Sequence, residues 1–106
     1  MPHYHLNELP EREVVPGFHG CFVHGDNFTL ANWHIEQDAI LPEHSHPHEQ
    51  ATRVLKGELE ITMEGQTYRL KPGQVLVIPG GVAHSGRAVS PCEVMDVFHP
   101  ARDDYR

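Results

Sequence analysis

A chain of 106 residues with a formal charge of −7 is poorly suited to bind nucleic acid or an anionic membrane surface. That length suits one compact domain burying roughly two thirds of its unfolded surface, and a composition of 39% hydrophobic and 22% charged residues is that of an ordinary globular protein. An anionic small molecule is not excluded, because one buried arginine can dominate a local site; the ten histidines are the anomaly.

The opening stretch MPHYHLNELPEREVVPG has no apolar run flanked by positive charge, so no export signal is expected, and no segment approaches the length of a membrane span. Cys21 and Cys92 are the only cysteines and are expected to be free thiols in a cytoplasmic protein. NELPER is expected to make at most one short turn. Residues 1–27 read as an N-terminal arm with a first edge strand that can reach a partner subunit, and residues 28–106 as a β-barrel, the whole forming one domain. FTLANWHIEQ, from Phe28 to Gln37, alternates as a strand with Ala31, Trp33 and Ile35 on one face. ELEITMEG points Leu59, Ile61 and Met63 one way, Glu64-Gly65-Gln66 turns the chain, and TYRLK resumes with Tyr68 and Leu70 inward, which predicts a hairpin. After Pro72-Gly73, QVLVI reads as a short strand buried on both faces, stopped by Pro79-Gly80-Gly81. EVMDVF, from Glu93 to Phe98, is a further, less regular strand. Many short strands between Gly/Pro turns, with no amphipathic helix longer than two turns, predict an all-β sandwich or barrel.

Chemistry concentrates in EHSHPHEQATRVLKG, Glu43 to Gly57. On a strand, residues i and i+2 share a face, so His44 and His46 can present two imidazoles to one point, and Gln50 keeps the same parity. Pro47 disturbs that geometry and leaves His48 either behind a ligand or in solvent. His84, just past the Pro-Gly-Gly turn, offers a third imidazole. Three imidazoles and one side-chain oxygen make a usual shell for a divalent transition metal. These residues resemble the two motifs of the cupin superfamily. The first is a His-x-His pair, three or four residues, an acidic ligand, six residues and a glycine; here it reads His44, His46, Gln50 and Gly57. The second is matched by Gly73, Pro79, Gly81 and His84. The resemblance implies a cupin double-stranded β-helix, a jelly-roll barrel with His44, His46, Gln50 and His84 turned into its mouth around one divalent ion, and a homodimer.

Gln50 departs from the usual glutamate. A carboxamide cancels none of the metal's charge, so the ion stays a stronger Lewis acid; a neutral shell favours zinc or nickel over manganese or iron. The other reading is a ligand lost in a degenerate cupin. HSHPHEQ together with DVFHPARDDY resembles the KdgF group of cupins, which open 4,5-unsaturated monouronates from pectin or alginate to linear 4-deoxy-5-ketouronates. That resemblance implies that Asp96, Phe98 and Arg102 line the site. Asp96 and Phe98 are i and i+2 on one strand, and Asp96 facing inward needs a partner or a task. Asp96 would act as a base and Arg102 as a clamp on a carboxylate substrate, unless the two form a structural salt bridge. Arg53, a candidate second anion contact, and Tyr68 are further candidates to line the barrel; His34 is expected to be an ordinary satisfied histidine, and His3, His5, His19, His24 and His99 have no site-forming spacing. The competing functions are a non-catalytic small-molecule-binding cupin and a cupin oxygenase or isomerase with another substrate.

Overall fold

Alternation of apolar and polar residues sets the architecture, because each strand has one face to bury. The computed structural model, which describes residues 2–106, contains ten strands: β1 (Arg12–Val15), β2 (Phe18–His24), β3 (Thr29–Ile35), β4 (Ile40–His44), β5 (Glu49–Lys56), β6 (Leu59–Met63), β7 (Gln66–Leu70), β8 (Val75–Ile78), β9 (His84–Ala88) and β10 (Cys92–His99). Single 3-10 turns at Leu6–Glu8 and Asp103–Tyr105 are the helical pieces among the described residues. The expected short turn near the N-terminus is the first of these.

The strands form two antiparallel sheets, one of six in the order β1-β2-β3-β10-β5-β8 and one of four in the order β4-β9-β6-β7. Their inner faces meet over a core that includes Phe18, Ala31, Trp33, Ile35, Val54, Leu59, Ile61, Ile78, Val94 and Phe98. This is the predicted all-β jelly roll. The Leu59–Met63 and Gln66–Leu70 hairpin lies where the alternation placed it, with Leu59, Ile61, Met63 and Leu70 buried. The free thiols of Cys21 and Cys92 are buried.

Two expectations fail. QVLVI is not buried on both faces: the outer face of the six-stranded sheet is uncovered, so Ile78 is fully buried while Val75 and Val77, on the other side of β8, are 56% and 55% exposed. A short β-branched run has the same composition whether its second face is covered or open, and only the packing around the sheet distinguishes them. Arg53 does not line the barrel. Gln50, Thr52 and Val54 point inward on β5, which sends Arg53 to the outer face, exposed. Tyr68 is half-buried and packs beside the core, with its hydroxyl donating to Gln66 Oε1.

Candidate metal centre

Four elements bring the candidate ligands together. His44 ends β4 and His84 begins β9, and the two are cross-strand partners in the smaller sheet. His46 stands on the loop between β4 and β5, and Gln50 comes from the larger sheet, so the site bridges the two layers. The loop carrying His46 is held against the turn before His84 by the Gly81 amide, which donates to the His46 carbonyl at 2.8 Å. Gly81 adopts φ +81°, a region where side chains are strained, and a Cβ at Gly80 would collide with the Pro47 carbonyl oxygen. The glycines therefore let the two distant segments touch.

His44, His46 and His84 offer ring nitrogens that all lie within 4.8 Å of one another. Each ring is oriented the same way, its Nδ1 bonded to a nearby backbone carbonyl: His44 to Pro42 at 2.9 Å, His46 to His48 at 3.1 Å, His84 to Val82 at 2.9 Å. A carbonyl only accepts, so each Nδ1 carries the proton and each Nε2 keeps a lone pair. The Nε2 of His84 is buried without a hydrogen-bond partner, and the Nε2 of His46 faces Gln50 Oε1 at 3.0 Å. Two lone-pair atoms at that separation repel unless a cation sits against both. Burial, aided by Arg102 and the His84 ring, lowers the His46 pKa to about 4, and burial also lowers that of His84. The donor set is thus neutral imidazoles and an amide oxygen, which fits a divalent transition ion.

Beside the ligands the register of β5 and β10 sets Phe98 opposite Gln50 and Asp96 opposite Thr52. Asp96 is buried; its Oδ1 accepts from Thr52 Oγ1 at 2.7 Å and its Oδ2 from Trp33 Nε1 at 3.0 Å. Burial pushes its pKa up to about 6, against the opposing pull of those donors. The expected alternative of an Asp96–Arg102 salt bridge is absent. Arg102 instead forks onto Asp104, Nε to Oδ1 at 2.9 Å and Nη2 to Oδ2 at 2.7 Å, and its guanidinium lies 4.7 Å from the Phe98 ring centre and 4.2 Å from that of Tyr105. Phe98 in turn meets the His46 ring edge-on at 5.7 Å. Arg102, Phe98 and His46 therefore form one continuous wall.

His48 contributes its backbone carbonyl to His46, while its own Nδ1 is buried without a partner. His34 is exposed and bonded to Glu11 at 2.7 Å, away from the centre. Thr52, Trp33, Asp104 and Tyr105 were not singled out as site residues. Thr52 had one signal, its place two residues beyond Gln50 on the inward face; the others join only through cross-strand register and the C-terminal turn. The sequence also left His19 unassigned, and it forms a surface cluster with Glu13 and Glu36. A cavity of about 60 Å³ opens behind the ligands, with Gln50, Thr52, His84 and Asp96 at its polar end and Val15, Phe18, Leu41, Ile61 and Val94 among its walls.

The family model for the cupin domain matches residues 31–98. The chain belongs to the cupin family. Among solved cupins it is similar to KdgF from Halomonas sp., with 30% identity, a TM-score of 0.89, and coverage of 94% of this chain and 95% of that one. An RmlC-like cupin from Shewanella frigidimarina superposes with a TM-score of 0.89 at 21% identity, over 94% of this chain and 91% of the other, a likeness of fold alone. A protein from Streptomyces cyaneus named polyketide synthase CurC is 38% identical over 60 residues, 56% of this chain but only 39% of its own length. The chain is a cupin that resembles KdgF, and its three histidines can hold a metal ion.

Proposed function

We propose that this cupin is a metal-dependent enzyme that opens 4,5-unsaturated monouronates to linear 4-deoxy-5-ketouronates. The observation that carries this reading is the placing of Asp96 and Phe98 beside Gln50 and His46, with Arg102 stacked on Phe98. The 30% identity to KdgF over nearly the whole chain supports it. A divalent ion, zinc or nickel ahead of manganese or iron, held by His44, His46, Gln50 and His84, would supply Lewis acidity that stabilises oxyanion charge as it develops. Arg102 binds the substrate carboxylate in the bidentate manner it now uses toward Asp104. Asp96 accepts the proton of the anomeric hydroxyl; the C1 carbonyl forms as the bond from C1 to the ring oxygen breaks, and that oxygen keeps the electron pair as the enolate of C4=C5. Return of a proton to C4 leaves the C5 ketone, so no atom is gained or lost. Phe98 packs against His46 and Arg102 and excludes water between them.

Incubation with unsaturated galacturonate, following loss of the conjugated double bond's absorbance, tests the reading; a rate equal to buffer refutes it. The 38% identity to polyketide synthase CurC over 60 residues supports one second reading, a cupin acting on a polyketide. Metal analysis of the purified protein separates either from an iron-dependent oxygenase. The homodimer belongs to the same proposal: exposed Val75, Val77 and Val97 are the apolar outer surface a second copy would cover, and sedimentation decides it.

A further inference from the structure

A glutamine ligand raises a problem that a glutamate does not. Either oxygen of a carboxylate can face a cation, but a carboxamide has one correct end, and the wrong end presents N–H groups to the ion. Something must fix the rotation of the Gln50 amide, and a hydrogen-bond chain through the barrel interior does so. Gln50 Nε2 donates to Thr52 Oγ1 at 2.9 Å, Thr52 Oγ1 donates to Asp96 Oδ1 at 2.7 Å, and Trp33 Nε1 donates to Asp96 Oδ2 at 3.0 Å. All four side chains are buried. The polarity of this chain has one consistent direction. The indole is a donor only, the carboxylate accepts only, and the single hydroxyl hydrogen of Thr52 is committed to Asp96. Thr52 Oγ1 can then only accept, so Gln50 must turn its NH₂ toward Thr52 and its oxygen toward His46.

We propose that Thr52, anchored through Asp96 by Trp33, is the positioning residue that holds the Gln50 carboxamide with its oxygen aimed at the metal. Thr52 is not one of the four candidate ligands; it acts through its bond to Gln50. The assignment depends on the metal-site reading above but not on the identity of the substrate. It also gives Trp33 and Asp96 a structural part in the centre whatever the reaction is.

Cobalt(II) titration of the chelator-treated full-length protein, read by chelator competition and by the visible d–d spectrum, tests it. Thr52→Val keeps the shape and removes the hydroxyl, and should weaken cobalt binding about 10–100-fold, the usual range for losing a group behind a ligand, with an altered spectrum. Thr52→Ser should restore both. Gln50→Ala should lose a similar factor, and Gln50→Ala with Thr52→Val should bind no more weakly than Gln50→Ala alone. Trp33→Phe, which keeps the ring packing, should shift affinity in the same direction if Thr52→Val fails to fold. Wild-type affinity and spectrum in Thr52→Val, or in Trp33→Phe where it stands in, overturns the assignment; so does a Thr52→Val loss that persists undiminished without Gln50. Absence of cobalt binding by the unaltered protein overturns the metal site itself and this assignment with it.

Discussion

Replacing Asp96 by Asn separates the energetic burden of a buried carboxylate from its use. Burial raises the Asp96 pKa from 3.8 to about 6, and about 2 units at 1.36 kcal/mol each leaves the metal-free fold carrying about 3 kcal/mol of cost at pH 7. Asn removes that cost. It also offers one acceptor oxygen where the carboxylate offered two, so either Thr52 or Trp33 loses its partner, which costs about 1–3 kcal/mol for a buried donor. At pH 7 the two effects oppose each other and the melting temperature moves less than either alone would give. The pH dependence is sharper. A carboxyl whose folded pKa lies above its unfolded value binds its proton more readily when folded, so the native chain loses stability as pH rises from about 4 to about 6. The Asn variant has no such group, and the native chain should gain about 2 kcal/mol relative to it between pH 7 and pH 4, roughly 8–16 °C in melting temperature, with the remainder regained only below the unfolded pKa. Scanning calorimetry on chelator-treated protein measures this, and ring-opening assays at matched metal content should show turnover reduced about 10²–10⁴-fold. A stability gap that stays flat with pH refutes the buried carboxylate, and undiminished turnover refutes its role as base.

Further substitutions probe the fold at the site and away from it. Gly80→Ala forces a Cβ against the Pro47 carbonyl and pushes the His46 loop away from His84; metal content by elemental analysis should fall well below one ion per chain while circular dichroism still reports β-structure. Ile78→Ala, at a fully buried position, should cost about 2–5 kcal/mol in urea melts; a loss within about 0.5 kcal/mol, the range of a surface change, would remove Ile78 from the core. The bond from His19 to Glu36 raises the His19 pKa above 6.5, so its contribution is complete below that value and fades as pH climbs through the higher folded pKa. Proton NMR of the His19 ring should show a titration midpoint that falls back toward 6.5 in Glu36→Gln.

The alternation in ELEITMEG and TYRLK and the spacing of His44, His46, Gln50 and His84 were legible in the chain, because side-chain parity on a strand and turn chemistry at Gly and Pro are local properties. Those features suffice for the all-β class, the cupin motifs and a candidate ligand set. Pairing is a different matter. That β8 is an outer strand, that Arg53 faces away from the site, and that Arg102 forks onto Asp104 depend on which strands become neighbours and how the C-terminal turn folds back. The link from Trp33 through Asp96 and Thr52 to Gln50 joins residues up to 63 positions apart, and hydrogen-bond direction along it exists only once the register of β5 against β10 is set. Local sequence determined which side chains could bind an ion; tertiary register decided which way the glutamine among them points.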